Sequence, residues 1–455
     1  MASSAANAVL PPGPKSIWPF AILRRFRKDP PTFLLKVREE FGEIAHIYLA
    51  SQDVFLLNNP EHVKEVLVTN QGNFTKSRVL QRAKRMLGEG LLTSEGAFHL
   101  RQRRMMQPAF HRDRLKGYAA SMSDWGVRTR DRWQPGATVD MAEEMMRLTL
   151  AVVAQTLFSA NVEDDASEIG ESLGAILDLF NLVMLPFSEV LEKLPLPFVK
   201  RFERARTTLD RIIYRIIAER RASGEDKGDL LSMLLLAQDE DDLGSSGRMT
   251  DEQVRDEAMT LFLAGHETTA NALTWTWYLL SQHPQIAARM HAEIDAALGG
   301  RTPQFDDLPA LKYVEMVIAE SMRLYPPAWA IGRKAIAPCT IGEYAVEAGA
   351  IMLMSPYVMH RNPQYYPDPE RFDPDRWLPE IAAQRPKFAY FPFGGGARLC
   401  IGERFAWMEG MLLLTCLAQK FAPTLVPGHP VEHKAMITLR PKHGMRMVLQ
   451  LRPNP

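Results

Sequence analysis

The chain has 455 residues, 46% of them hydrophobic, so it can bury a large core, as one large enzyme domain or as two or three smaller ones. Lys+Arg and Asp+Glu are equal at 54 each, which leaves no bulk attraction to nucleic acid. Cys339, Cys400 and Cys416 are the only cysteines, with no zinc-type pairing and no disulfide framework, which favours a reducing cytosol.

In chain order, residues 1–26 lack the ~20-residue uncharged apolar run of a membrane span and the basic-then-apolar order of a secretory signal. A cytoplasmic chain without a transmembrane anchor is expected. Leu10-Pro-Pro-Gly-Pro14 is a stiff entry, and residues 1–14 form a Pro-rich lead-in. "EIAHIYLA" alternates, with Ala45, Ile47 and Leu49 on one face, and "DVFLLNN" follows, which predicts a hairpin. "NPEHVKEVL" predicts a helix capped by Asn59 with Pro60 at its first position.

From about 115 to 300, apolar residues recur at three- and four-residue spacing. "LDRIIYRIIAERRA" is a helix in this reading, and a second runs from about 251 to 281. The polar stretch "AQDEDDLGSSGR" separates them, and Thr250 with Gln253 offers the second a capping box. Its middle is so apolar that it should cross the core. "LKYVEMVIAESMRLYP" is a helix stopped by Pro326-Pro327. Short strands and turns follow, then an apolar helix directly after Cys400, and "MITLRPKHGMRMVLQL" reads as a closing hairpin. The fold class is mainly α with small β-sheets (α+β). No linker marks a boundary, so a single domain over 1–455 is expected.

The densest chemistry lies in "FGGGARLCIG", residues 393–402. Cys416, inside "LLLTCLAQK", suits a buried small hydrophobe; Cys400 does not. Gly394, Gly395, Gly396 and Gly402 are costly unless the backbone needs positive φ or a close approach. A loop opening into a helix presents N–H groups that favour a thiolate. That sulfur is a metal ligand or a nucleophile. A nucleophile needs an adjacent base, and no histidine is near in sequence; a phosphate cradle needs a final Gly-Lys-Ser/Thr. A sulfur ligand to haem iron fits better, with Phe393 beside the macrocycle and Arg398 pairing with a propionate.

The string Phe393-x-x-Gly396-x-Arg398-x-Cys400-x-Gly402 resembles the haem-binding signature of cytochromes P450. Two further motifs occur in that family's order. Glu320 and Arg323 of "ESMR" resemble its Glu–Arg pair, which an arginine such as Arg371 of "PERF" joins; the resemblance implies a buried Glu320–Arg323–Arg371 network bracing the cysteine loop. Taken alone, an E-x-x-R pair is usually a surface salt bridge. "AGHETTA" is similar to the oxygen-activation segment. It is not a zinc site, because Ala270 stands where H-E-x-x-H needs histidine. The resemblance implies that Gly265 lets the backbone approach the ligand and that a local opening of the helix frees a carbonyl. Thr268 would then hydrogen-bond dioxygen or an ordered water, with Glu267 in the proton relay. Taken alone, Thr268 and Thr269 would bond back to a carbonyl one turn earlier.

The P450 resemblance also implies haem b, with Arg333 pairing with a propionate and Arg103 on an early helix doing the same. His99 stands where that family commonly has Trp, a departure that weakens its role. Nothing resembles a flavin or iron–sulfur module, so electrons are expected from a separate ferredoxin- or flavodoxin-type donor. Arg101, Arg104, Arg112 and Arg404 are candidates for its basic docking patch. Ala328, Trp329, Leu261, Ala264, Thr268, Met436 and Ile437 would line an apolar pocket, a core role being the equal alternative. A long-chain fatty acid is the first expected substrate and a terpenoid or polyketide the next. Arg78, Arg82, Lys84 and Arg85 could dock a carboxylate at the mouth, or form a solvated run. A monomeric monooxygenase is expected. A peroxide-driven hydroxylase and a haem sensor or carrier are the alternatives, and the Glu267–Thr268 pair argues against both.

Overall fold

The hairpin predicted by alternation is present: Ile44–Leu49 pairs antiparallel with Gln52–Leu57, Ile44 opposite Leu57. These coordinates are a computed structural model that describes residues 10–16, 18, 20–49, 52–160, 166–183, 194, 196–236 and 249–452. The polar stretch 237–248 lies outside them. The chain forms two compact units, one of Met1–Gln81, Met322–Phe372 and Trp377–Cys400, the other of Arg82–Ser321, Asp373–Arg376 and Ile401–Pro455.

In the first unit the hairpin seeds a five-stranded sheet. Ile351–Met354 joins it parallel to Gln52–Leu57, then Ile331–Ala335 and Phe74–Lys76 follow antiparallel. Both faces are covered. Ala45, Ile47, Val54 and Leu56 pack with Ile22, Phe26 and Phe33 on one side, while Ile44, Phe55 and Leu57 pack with Val63, Val66 and Leu67 on the other. A strand buried on both faces reads as a continuous apolar run, which is why "VFLL" does not alternate. Asn59 caps the next helix as expected, its side chain accepting from the Glu61 N–H at 2.8 Å. That helix, Pro60–Lys64, runs on into a π-helical turn, Glu65–Thr69.

The second unit is built around Asp251–Gln282, where the Thr250–Gln253 capping box is fully formed. Trp275 and Trp277 on this helix are completely buried. It packs on Met141–Phe158, where Phe158 and Phe262 stack with ring centroids 4.4 Å apart. Helix Glu403–Ala418 packs on Arg112–Arg132; a Cβ on Gly126 would come within 2.8 Å of the Cys416 Cβ. Burial pushes the Cys416 thiol up to about 12, as suits an inert core side chain.

The closing hairpin is not formed. Leu439–Pro441 pairs instead with His433–Ala435, and Arg446–Val448 pairs with Thr138–Asp140 and Thr424–Leu425. The cause is local: Asp140 accepts from the Met445 N–H at 2.9 Å, and Gly444 at φ +68° turns so close to Asp140 that any side chain there would collide with it. The turn steers the last strand away from its sequence neighbour.

Candidate active site

The cysteine loop belongs to the first unit. Gly394 and Gly396 have φ of +76° and +67°, the left-handed region that favours glycine. A Cβ on Gly396 would lie 1.8 Å from the Leu67 carbonyl oxygen of the π-helical turn, and one on Gly395 would lie 2.6 Å from the Phe388 ring. The glycines are therefore required by the protein's own packing under the loop. The loop is tied within itself by the Cys400 N–H donating to the Phe393 carbonyl at 3.0 Å, and to an upstream segment by the Ala397 N–H donating to Gln71 Oε1 at 2.9 Å. The Cys400 side chain is left exposed.

Below the loop, Arg323 is fully buried and donates to three carbonyls, His360 at 2.9 Å, Pro369 at 2.6 Å and Arg371 at 3.0 Å. His360 in turn accepts the Phe391 N–H on its Nε2 at 3.1 Å, two residues before Phe393. Burial first, then the charges of Arg323 and Arg361, hold this imidazole well below its usual range, so it is neutral and able to accept. Arg333 lies half-buried on its strand and donates to the Gly332 carbonyl at 3.1 Å. Arg398 and Phe393 are half-buried, as is Ala328. Trp329 packs on the Phe26–Phe33 side of the sheet, a core position.

The second unit holds Glu320, fully buried, which accepts from the Asp373 N–H at 3.0 Å and pairs with Arg376 at 3.3 Å. Arg376 was not among the expected partners. Thr268 donates to the Ala264 carbonyl at 2.7 Å and Thr269 to the Gly265 carbonyl at 3.3 Å. The helix is continuous through this point, so the expected opening is absent. The Thr268 hydroxyl itself occupies the carbonyl that an opening would release. The close approach that Gly265 permits is to Val153, whose Cγ2 would lie 3.0 Å from an added Cβ. Glu267 is buried, accepting from Arg440 Nε at 2.7 Å and bonded to the Thr438 hydroxyl. His99 is buried with Nδ1 3.4 Å from the Ser94 hydroxyl, and Arg103 is half-buried on the same helix, Gly96–Met106. Gly402 is the N-cap position of the helix Glu403–Ala418. Leu261 and Met436 are buried, and Ile437 half-buried.

The sequence model of the family described as Cytochrome P450 matches residues 11–447. The chain belongs to the cytochrome P450 family. Cyclooctatin synthase of Streptomyces melanosporofaciens is 39% identical over 400 residues, 88% of this chain and 86% of that one. Cyclooctat-9-en-7-ol 5-monooxygenase of the same organism is 39% identical over 389 residues, 85% and 84% of the two chains. Pentalenene oxygenase of Streptomyces avermitilis is 35% identical over 414 residues, 90% and 91%. This P450 is an oxidoreductase whose family works with a haem-thiolate centre, dioxygen, a redox partner and an organic substrate.

The donor set fits that cofactor. The exposed Cys400 side chain, on a loop whose own shape rests on backbone bonds and glycines, is open to a metal whose other ligands come from a macrocycle. No helix among the described residues is long and apolar enough to cross a membrane.

Sequence reading missed Arg440, Thr438, His360 and Glu409 of this P450. The first two lie in a strand and turn far along the chain, invisible as partners of Glu267. Glu409 had a signal: it is the lone acid in the apolar run "WMEGMLLLTC". It is fully buried, and neither carboxyl oxygen has a hydrogen bond of full geometry among the described residues. Burial pushes its carboxyl up to about 8 from the usual 4.5, the Thr269 hydroxyl opposing the shift. Between those values the folded state keeps a proton that the unfolded chain releases, so stability falls as pH rises. From pH 6 to 8 the native protein should lose about 2 kcal/mol relative to Glu409→Gln, read by urea unfolding of both at each pH. Parallel pH profiles would show that Glu409 is ionised in the fold.

Proposed function

We propose that this P450 hydroxylates a neutral cyclic terpenoid, using haem b and electrons from a separate ferredoxin- or flavodoxin-type donor. The overall change is insertion of one oxygen atom into a C–H bond and reduction of the other to water, with two electrons and two protons consumed. Bound haem would supply the dioxygen activation, favoured by thiolate donation. Cys400 would be its ligand, Phe393 would flank it, and Arg398, Arg333, Arg103 and His99 would take its propionates. Glu267 would belong to the proton relay that serves Thr268, and Arg440, whose Nε lies 2.7 Å from its Oε1, would fix the position of its carboxylate.

The observation carrying the substrate class is the naming of three relatives for cyclooctatin, cyclooctat-9-en-7-ol and pentalenene. The endings -ene and -ol denote neutral alkenes and alcohols. This reverses the earlier order, in which a fatty acid came first. Of the four cations that could dock a carboxylate, two are paired already, Lys84 with Glu89 at 2.7 Å and Arg85 with Glu203 at 2.5 Å. For the donor, Arg112 and Arg404 are exposed, as a basic docking patch requires.

The test is a panel of cyclic terpenes, terpene alcohols and fatty acids, scored by the Soret shift that accompanies water displacement. Terpenoids should shift the band at lower concentration than any fatty acid; the reverse order returns the fatty acid to first place. Thr268→Ala should leave the carbon monoxide spectrum unchanged while electrons drain to peroxide and product formation falls by about 10²-fold. Unchanged product per electron would remove Thr268 from the reaction.

A further inference from the structure

Trp18 and Phe20 are 77% and 65% exposed, the two most exposed large hydrophobic residues among those described. The helix Ala21–Lys28 follows at once and buries only Ile22 and Phe26. Its other positions include Arg24, Arg25, Arg27 and Lys28, all exposed, and none of these four is in an ion pair among the described residues. The first acidic residue of the whole chain is Asp29. Trp18, Phe20, Ala21, Arg24, Arg25 and Lys28 line one open groove, so bare rings and unneutralised cations share a single surface.

We propose that this surface docks on a bilayer containing anionic phospholipid, lying on it rather than through it. Both halves of the patch find a match there. Aromatic rings partition into the boundary between headgroups and acyl chains, and guanidinium and ammonium groups sit at the lipid phosphates. An acidic protein would pair the cations but gives no reason for two uncovered rings beside them. The whole chain has no net charge, so any attraction comes from local patches such as this one and falls off within a Debye length. The proposal is independent of the substrate reading.

The full-length protein is sedimented with vesicles of phosphatidylcholine alone and of phosphatidylcholine with about one-third phosphatidylglycerol, at low and high salt. Binding to the anionic vesicles should exceed that to the neutral ones by at least about tenfold and weaken with salt. Arg24→Gln with Arg25→Gln should lower it about 25-fold, from about fivefold per cation. Trp18→Ser with Phe20→Ser should lower it by about tenfold or more at any salt. All four side chains are exposed, so the variants keep the native melting curve, and either pair reads the proposal alone if the other misfolds. Equal binding to both vesicle types, or native binding by both double variants, overturns it. Retention on an acidic protein with no sedimentation on vesicles also overturns it and assigns the face to a protein partner.

Discussion

Cys400→Ser is expected to abolish both the red-shifted carbon monoxide band of the reduced protein and all turnover. A hydroxyl does not ionise near neutrality and donates far less electron density than a thiolate, so the variant loses the ligand even if haem stays bound. The loop itself should survive the change. Its shape rests on Gly394 and Gly396, on the Leu67 carbonyl under Gly396, and on backbone bonds such as Cys400 N–H to Phe393. None of these involves the sulfur. The variant should therefore melt like the native apoprotein, which separates loss of the ligand from loss of the fold. An unshifted band in the native protein, or a red-shifted one in the variant, would remove Cys400 from the metal.

Arg323→Ala is expected to destabilise the protein by about 3–5 kcal/mol, since it strips a buried charge from its partners. The carbonyls of His360, Pro369 and Arg371 would each lose a charged donor with no water to replace it. The guanidinium also lies over the Tyr366 ring, 5.2 Å from its centroid, and the Tyr366 hydroxyl donates to the Ala389 carbonyl at 3.1 Å. Damage therefore reaches residues 389–391, which lead into the cysteine loop. Arg323→Lys should recover only part of the loss, because one ammonium cannot span a fork of three acceptors. Denaturant titration of the apoprotein checks both variants. A loss below about 0.5 kcal/mol for Arg323→Ala would show that water has entered the site.

Much of this was readable beforehand because the signals are local. Alternation placed the first hairpin, a Thr-x-x-Gln step placed the start of the long helix, and apolar periodicity placed the helix after the cysteine. The cysteine loop stood out because three consecutive glycines are expensive without a reason. What could not be read depends on partners distant in sequence. Glu267 and Arg440 are 173 positions apart, and nothing in either segment announces the other. The final hairpin failed because Asp140, three hundred positions upstream, competes for its turn. Thr268 kept its hydroxyl on a carbonyl one turn back, a local preference that the motif alone does not override.

The π-helical turn at Glu65–Thr69 carries one residue more per ring than its neighbours, and the carbonyl of Leu67 within it is what Gly396 rests against. Removing that surplus residue would make the helix more regular and would rotate every later group by about 100°. Local regularity and a correctly seated sulfur are thus opposed at this position. A segment more than three hundred residues upstream of Cys400 keeps an imperfect winding on its behalf.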